Sequence, residues 1–218
     1  MTFYILTLFP QMFSSVFSQS IVNRAQKNRL VKIKLVNIRD FALDKHKTVD
    51  DRPYGGGSGM IIKVDVIARA LESLKPKPFS ILLSTGGKKY TQKKAGNYSK
   101  KKAVAIICGH YEGVDSRVEK LVDEVISIGD YILTGGEIAS MVIIDSVTRL
   151  LPKVINLDSV KSESFSKSHF LEYPQYTRPE NFRRLKVPKV LLRGNHQQIS
   201  TWRKKEALKK TKELRPDL

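Results

Sequence analysis

The chain has 218 residues, of which 41% are hydrophobic, and its 39 Lys and Arg against 21 Asp and Glu give a formal net charge of +18. The apolar fraction is sufficient for a buried core, and so large a positive charge favours a polyanionic partner, with nucleic acid preferred to an anionic membrane. No apolar run approaches the roughly 20 residues that cross a bilayer, and the start lacks the basic region of a signal peptide, so we expect a cytosolic protein. There is one cysteine, and the histidines lack zinc-ligand spacing, so we expect neither a disulfide nor a structural metal.

Strand and helix patterns alternate through the first 151 residues. An apolar strand is predicted at Thr2–Leu8, and Pro10 suits the first turn of the helix that follows. The alternation of apolar and basic residues in Val31–Ile38 predicts a partly exposed strand. Beyond residue 60 the patterns predict helices at 64–74, 116–122 and 138–151, and strands at 79–83, 103–107 and 124–128. Such alternation predicts an α/β fold with a mostly parallel sheet.

A polar, glycine-rich segment, Asp44–Met60, interrupts this alternation. It is too long for an ordinary connection, and the presence of His46, Asp50 and Asp51 favours a functional loop over a flexible surface loop, which remains the alternative. Its glycines are not followed by Gly-Lys-Ser/Thr and lack the dinucleotide-binding spacing, so ATP and NAD sites are disfavoured.

Three glycine turns follow predicted strands, at Ser84–Gly87, Cys108–Asp115 and Ser127–Glu137. Because the carboxyl ends of parallel strands meet at one edge of a sheet, we expect the three turns to border one crevice. The glycines let the backbone approach a ligand closely, and Tyr131 and Leu133 offer apolar walls. The crevice is therefore predicted to hold a ligand that is recognised mainly through the backbone.

Positive charge is concentrated in two stretches. Lys88–Lys102 contains seven lysines and no acid, and both a phosphate-binding role and a solvated helix face remain open for it. From Pro152 onward, 16 Lys and Arg stand against 7 Asp and Glu, a net charge of +9, while the first 151 residues carry 23 against 14, also +9. The charge density roughly doubles in the shorter tail, which marks the tail as the part that grips a nucleic acid.

Weak periodicity and many serines after Pro152 indicate a domain boundary. We predict a main α/β domain at residues 1–155, a flexible linker at 156–175, and a small basic helical domain at 176–218. A helix at 197–213 is predicted within the last of these.

Four motifs together make the chain recognisable: Asp44–Met60, Cys108–Asp115, Ser127–Glu137 and Tyr176–Pro179. In this order they resemble the bacterial tRNA (guanine-N1)-methyltransferase family of the SPOUT class, over nearly the whole chain. The resemblance implies a trefoil knot in the C-terminal part of the main domain, which binds S-adenosylmethionine, and a homodimer whose active sites are shared between subunits. It also implies methylation of N1 of the guanosine at tRNA position 37, next to the anticodon, with Mg²⁺ as a possible aid.

The family's cofactor residues can be carried over motif by motif. One departure is that Thr85-Gly86 stands where the family has Pro-Gln, which removes the glutamine side chain and retains the backbone. The cofactor-binding residues implied by the resemblance are Leu83, Ser84, Thr85, Gly109, Tyr111, Glu112, Ile128, Gly129, Tyr131, Leu133, Gly135 and Gly136. The residues predicted to bind tRNA, from these motifs and from the charge of the last helix, are His46, Asp50, Arg178, Arg203, Lys204 and Lys205.

The chemistry of guanine limits the choice of catalytic residues. N1 carries a proton at neutral pH, so a base must remove it before the nitrogen can attack a methyl group. The family's acidic residue just before Ser-Phe matches Glu163, and the negative charge that develops on O6 calls for an arginine, which matches Arg149. A solvated linker carboxylate and an arginine at a helix C-terminus are the simpler interpretations of these two residues. Cys108 needs no role in the chemistry, and we interpret it as a small buried residue.

Two other functions share some of these features. An RNA-binding protein of the same fold without methyl transfer would need the basic charge but neither Glu163 nor Arg149. A nucleotide hydrolase that uses the glycine-rich loop is disfavoured, because the lysine and the metal-binding acid of phosphate chemistry are missing from it.

Overall fold

Five parallel strands form the central sheet, in the order β2-β1-β6-β5-β7. The computed structural model describes residues 1–156, 163–165 and 170–218. The strands are β1 (Thr2–Thr7), β2 (Lys32–Asn37), β3 (Asp50–Asp51), β4 (Ile61–Ile62), β5 (Phe79–Lys89), β6 (Ala103–Ile107), β7 (Glu124–Ser127), β8 (Asn181–Phe182) and β9 (Leu185–Lys186). Each neighbouring pair in the central sheet is parallel. The predicted mixed α/β fold with a mostly parallel sheet is thereby confirmed.

Helices connect the strands of this sheet. The α-helices are α1 (Ser14–Phe17), α2 (Ser20–Lys27), α3 (Val64–Glu72), α4 (Gln92–Tyr98), α5 (Gly136–Thr148), α6 (Lys189–Leu192) and α7 (His196–Leu214). Short 3₁₀ helices lie at Pro10–Phe13, Ile38–Phe41 and Ser116–Lys120. No helix in the described part of the chain is long and apolar enough to cross a membrane.

The sheet is covered on both faces, which explains the nearly continuous apolar runs of its strands. On one face Ile5 and Ile106 belong to a core cluster with Ile143 of α5. On the other face Ile107 belongs to a second cluster with Ile67 of α3. Neighbouring residues of a strand point to opposite faces, so the all-apolar β6 supplies both cores.

The course of β5 differs from the prediction, which ended this strand at Leu83. Leu83 and Lys88 both pair with Ile126 of β7, so Ser84–Gly87 loop out of the sheet and the strand then resumes. The strand ends at Lys89 because β7 offers a partner on the far side of the excursion. The lysine-rich stretch is consequently divided between the end of β5, helix α4 and the turn before β6.

The chain divides into two compact units, Met1–Ile155 and Asn156–Leu218. In the second unit the antiparallel pair β8–β9 precedes α7, whose first turn is capped by Asn195 as its side chain accepts a hydrogen bond from the Gln198 N–H at 3.0 Å. The predicted linker at 156–175 falls partly on residues 157–162 and 166–169, which lie outside the described residues. The three-part division stays a prediction.

The excursion in β5 makes Gly87 the most constrained of its four residues. A Cβ on Gly87 would lie 2.5 Å from the backbone N and C of Ile126, whereas one on Gly86 would meet only the Ser84 hydroxyl at 3.9 Å. We predict that Gly87→Ala lowers the free energy of unfolding by about 1–3 kcal/mol, because two backbones must separate. The matched Gly86→Ala change should stay within about 0.5 kcal/mol of the parent. Urea denaturation of both variants measures this, and equal midpoints would contradict the prediction.

Candidate active site

A cleft of about 370 Å³ lies at the carboxyl ends of β5, β6 and β7, and all three glycine turns border it. This is the edge at which ligands bind in open α/β sheets. All twelve residues carried over as cofactor-binding line this cleft: Leu83, Ser84, Thr85, Gly109, Tyr111, Glu112, Ile128, Gly129, Tyr131, Leu133, Gly135 and Gly136. Their contact with a cofactor stays a prediction.

The back of the cleft is formed where the start of α5 meets the end of β6. The Gly136 N–H donates to the Gly109 carbonyl at 2.8 Å, and a Cβ on Gly136 would lie 2.7 Å from the Cα of Cys108. Gly135 forms a bridge with His110 just before the helix begins. Glycine is needed here because the two backbones touch.

Two side chains shape the turn after β7. The Ser127 hydroxyl donates to the Gly129 carbonyl at 3.1 Å and lies 3.2 Å from the Gly129 N–H. Gly129 has φ +151°, and a Cβ there would lie 2.5 Å from the Tyr131 ring. The turn therefore holds the half-exposed Tyr131 ring over a glycine, at the wall of the cleft.

The glycine-rich loop ends beside this cleft. The Glu112 N–H donates to the Met60 carbonyl, and the Ile62 N–H donates to the Gly113 carbonyl, each at 3.0 Å. Gly59 approaches the Glu112 side chain so closely that a Cβ would lie 2.3 Å from its Cγ. These contacts join the segment that follows the loop to the turn after β6.

Asp44 organises the start of the same loop. Its carboxylate accepts hydrogen bonds from the Thr48 hydroxyl at 2.8 Å, from the Thr48 N–H at 2.9 Å and from the His46 N–H at 3.1 Å. These donors, with the Thr48 hydroxyl foremost, hold the pKa of Asp44 below its usual value. The exposed His46 is thereby set in a turn, and Asp50 pairs with Ile62 in the short β3–β4 ladder.

A buried carboxylate beneath the cleft was not predicted as a site residue. Glu137 is only 1% exposed, its Oε1 accepts a hydrogen bond from the Thr7 hydroxyl at 2.7 Å, and its Oε2 lies 3.8 Å from His110 Nδ1. An acid in the first turn of a helix is favoured by the helix dipole, which is the signal that the sequence offers. Thr7 could not have been found as its partner, because it lies 130 positions earlier in the chain.

Several other residues that line the cleft were also missed. Four of them lie inside motifs already identified, and the predicted site residues beside them were the signal that could have found them. They are His110, Gly113, Ile132 and Thr134. Glu119 comes from the 3₁₀ helix that precedes β7, and no pattern in the sequence marks it.

The two predicted catalytic residues are not part of this cleft wall. Arg149 caps the C-terminal end of α5, whose N-terminal Gly136 borders the cleft. Thirteen residues of α-helix separate these ends by about 20 Å, and Arg149 is not among the residues that line the cleft. Glu163 belongs to the second unit and is half-buried in a turn in which the neighbouring Ser164 hydroxyl accepts the Glu172 N–H at 2.9 Å.

The predicted tRNA-binding residues of the second unit differ in their surroundings. Arg178, Lys204 and Lys205 are exposed. Arg203 is exposed as well, but its guanidinium lies 4.7 Å from the centre of the Tyr173 ring. This cation–π contact gives Arg203 a structural partner, so Lys204 and Lys205 are the cleaner probes of phosphate binding.

A family model described as tRNA (guanine-1)-methyltransferase TrmD matches residues 1–218. The chain belongs to this family. Relatives named tRNA (guanine-N(1)-)-methyltransferase include one from Carboxydothermus hydrogenoformans, 55% identical over 217 residues that cover 98% of this chain and 85% of the relative. One from Dictyoglomus turgidum is 55% identical over 216 residues, with coverage of 98% and 88%, and one from Ruminiclostridium cellulolyticum is 48% identical over 223 residues, with coverage of 100% and 96%. The family predicted from four motifs is confirmed.

Cys108 lies next to the cleft and is fully buried. Burial, and secondarily the charge of Glu137, raises the pKa of its thiol well above the usual range. We predict that the native thiol reacts with Ellman's reagent at least about a hundredfold more slowly than the same thiol in denaturant. Cys108 is the only cysteine, so the colour change reports on it alone. Native and denatured rates that agree would contradict the prediction.

Proposed function

We propose that this chain transfers the methyl group of S-adenosylmethionine to N1 of the guanosine at position 37 of tRNA, in the cytoplasm, where tRNA is found. The observation that carries the proposal is the single cleft bordered by three glycine turns, in a chain of this family. The relatives' names give tRNA as the substrate and N1 of guanine as the methylated atom. The cofactor, the position in tRNA and the knotted SPOUT topology come from the motifs that the chain shares with the family.

The residues of the cleft suit S-adenosylmethionine. Its volume of about 370 Å³ lies within the range of small-molecule sites. Ile128 and Leu133 offer apolar surface, the glycine turns offer backbone N–H and C=O groups, and Glu112 offers a carboxylate. When bound, the cofactor supplies an electrophilic methyl group on a positively charged sulfur.

The chain's own residues would then prepare the guanine. The Glu163 carboxylate would take the proton from N1, and the electron pair left on N1 would form the new bond to the methyl carbon while the bond from that carbon to sulfur breaks and leaves its electron pair on sulfur. Negative charge that accumulates on O6 during proton removal is stabilised by the Arg149 guanidinium, whose planar N–H groups suit an oxygen acceptor. The family also suggests Mg²⁺. The described residues contain no group of three His, Cys, Asp or Glu side chains that could hold a metal ion, so we derive no step through it.

A homodimer would bring Arg149 to a cleft. Arg149 lies at the end of α5 remote from its own cleft, so in this proposal it serves the cleft of the second subunit. The exposed face of α5 supports an interface, because Ile138 and Val142 lie one helical turn apart and are 46% and 43% exposed. Met12 and Val16, near the start of the chain, are exposed to a similar degree. Apolar side chains in such positions suit burial against a second copy.

The basic second unit would grip the tRNA. Arg203, Lys204 and Lys205 lie exposed on α7, and His46, Asp50 and Arg178 complete the set proposed to contact RNA. Contacts between lysines and phosphates release counterions, so binding of this kind weakens steeply as salt is added.

Methylation of unmodified tRNA by the purified protein, with labelled S-adenosylmethionine and mapping of the product, tests the proposal. We expect one methyl group on N1 of guanosine 37.

We also expect Glu163→Gln to lower the single-turnover rate by about a hundredfold or more, because it removes the proton acceptor and keeps the size of the side chain. Glu172→Gln, at a nearby carboxylate in the same unit, is the matched control and should keep the parent rate. Binding of tRNA with no methyl transfer by the parent would favour the RNA-binding alternative.

Mixed dimers test whether Arg149 acts on the other subunit. Arg149→Ala removes the arginine, and Thr85→Arg places a long side chain at an exposed position of the cleft wall. Each variant should be inactive by itself. After the two are unfolded together and refolded, about a quarter of the sites should be intact, since half of the dimers are mixed and one site in each is complete. Activity that stays at the level of the separate variants would contradict the shared site.

A further inference from the structure

Strands β8 and β9 of the second unit form a hairpin with two arginines at its tip. Asn181 pairs with Lys186, and Phe182 pairs with Leu185, which leaves Arg183 and Arg184 as a two-residue turn. Both have positive φ, +48° and +71°. Two consecutive left-handed residues define the type I′ turn, the connection whose twist matches that of a β-hairpin.

Arginine is a poor choice for this backbone. Type I′ turns favour Asn-Gly, Asp-Gly or Gly-Gly, because a side chain in the left-handed region crowds the backbone and costs free energy. The chain therefore keeps two large side chains where smaller residues would stabilise the hairpin. An observed backbone outlier of this kind points to a function for the side chains that it carries.

The tip is surrounded by solvent, and one of its charges lies near an exposed aromatic ring. All six residues from Asn181 to Lys186 are exposed. Within the described ranges no carboxylate lies within 4.0 Å of either arginine's charged group. The Arg183 guanidinium lies 5.2 Å from the centre of the Phe182 ring, and Phe182 and Leu185 are 56% and 74% exposed. The hairpin thus presents an aromatic ring, an aliphatic side chain and three positive charges, those of Arg183, Arg184 and Lys186, to solvent.

This combination matches the chemistry of unpaired RNA. Bases in RNA loops stack on aromatic rings and on guanidinium planes, and their phosphates attract arginine. We propose that the β8–β9 hairpin tip contacts the RNA substrate, with Phe182 and Arg183 as a stacking surface for an unpaired base and with Arg183 and Arg184 close to phosphates. The proposal rests on the proposed function in taking tRNA as that RNA.

Replacement of the tip by the favoured turn residues tests the proposal directly. The double variant Arg183→Asn with Arg184→Gly should fold at least as well as the parent and melt at an equal or higher temperature. Its tRNA dissociation constant should rise by roughly tenfold or more at physiological salt, and the slope of log K against log salt should decrease by about two. S-adenosylmethionine affinity should stay unchanged. Equal tRNA affinity and salt slope in the parent and the variant would overturn the proposal.

Two controls separate charge from turn geometry. Arg29 also has a positive φ, +57°, and is exposed in the turn after α2, so Arg29→Gly removes an equivalent charge from an equivalent backbone position. It should change the tRNA affinity by less than about twofold, because an exposed charge that makes no direct contact with the RNA is largely screened by salt. The double variant Arg183→Lys with Arg184→Lys keeps both charges and should retain most of the salt slope. A loss of binding as large in the Arg29 variant as in the tip variant would contradict a specific contact.

The outcomes also distinguish this proposal from the proposed function. A parent protein that methylates guanosine 37, together with a tip variant of unchanged affinity, overturns the hairpin contact alone. A parent that binds tRNA through the tip but transfers no methyl group overturns the enzymatic function and leaves the RNA contact in place. If the tip variant melts at a lower temperature than the parent, the premise of a strained turn is wrong, and the lysine variant then decides whether the charges bind RNA.

Discussion

The cleft depends on one close contact between two backbones, where the start of α5 lies against the end of β6. Gly136 touches Cys108 and donates to the Gly109 carbonyl, and any side chain at Gly136 would separate the helix from the strand. Directly beneath, the hydrogen bond from Thr7 to Glu137 satisfies one oxygen of a buried carboxylate and offsets part of its desolvation. The parallel pairing of β6, β5 and β7 brings the three glycine turns to one edge of the sheet, and this junction closes the back of the cleft that they border.

The helix that forms this junction borders the cleft at one end and carries the arginine proposed for catalysis at the other. Its N-terminal end, at Gly136, borders the cleft, and its C-terminal end carries Arg149. A rigid helix about 20 Å long gives one chain a cleft without its arginine, so the proposed chemistry requires a second chain. The apolar side chains exposed on α5, Ile138 and Val142, are the surface that we propose for that association. We propose that this one helix both shapes the cleft and carries an arginine that serves a second subunit.

Features that depend on neighbouring residues were predicted correctly, whereas features that depend on contacts between distant residues were not. The strand at Ala103–Ile107 was predicted with its observed limits, because an all-apolar run needs only a buried sheet to explain it. The predicted end of β5 at Leu83 was wrong, since the strand resumes at Lys88 by pairing with Ile126, a residue almost forty positions away. The lining of the cleft by the three turns followed from strand ends in a parallel sheet, whereas Glu119 comes from a separate 3₁₀ helix and carried no signal.

The sequence by itself determined the fold class, the three glycine turns and the family, because periodicity, turn chemistry and motif order are written in neighbouring residues. Only the tertiary structure decided which groups meet. It paired Thr7 with Glu137, set Arg203 against Tyr173, and placed Arg149 a helix length from the cleft. It also decided that Arg183 and Arg184 take left-handed backbone conformations, which follow from the pairing of β8 with β9 rather than from any preference of arginine. Contacts between distant positions depend on how the elements pack, and local patterns contain no record of that packing.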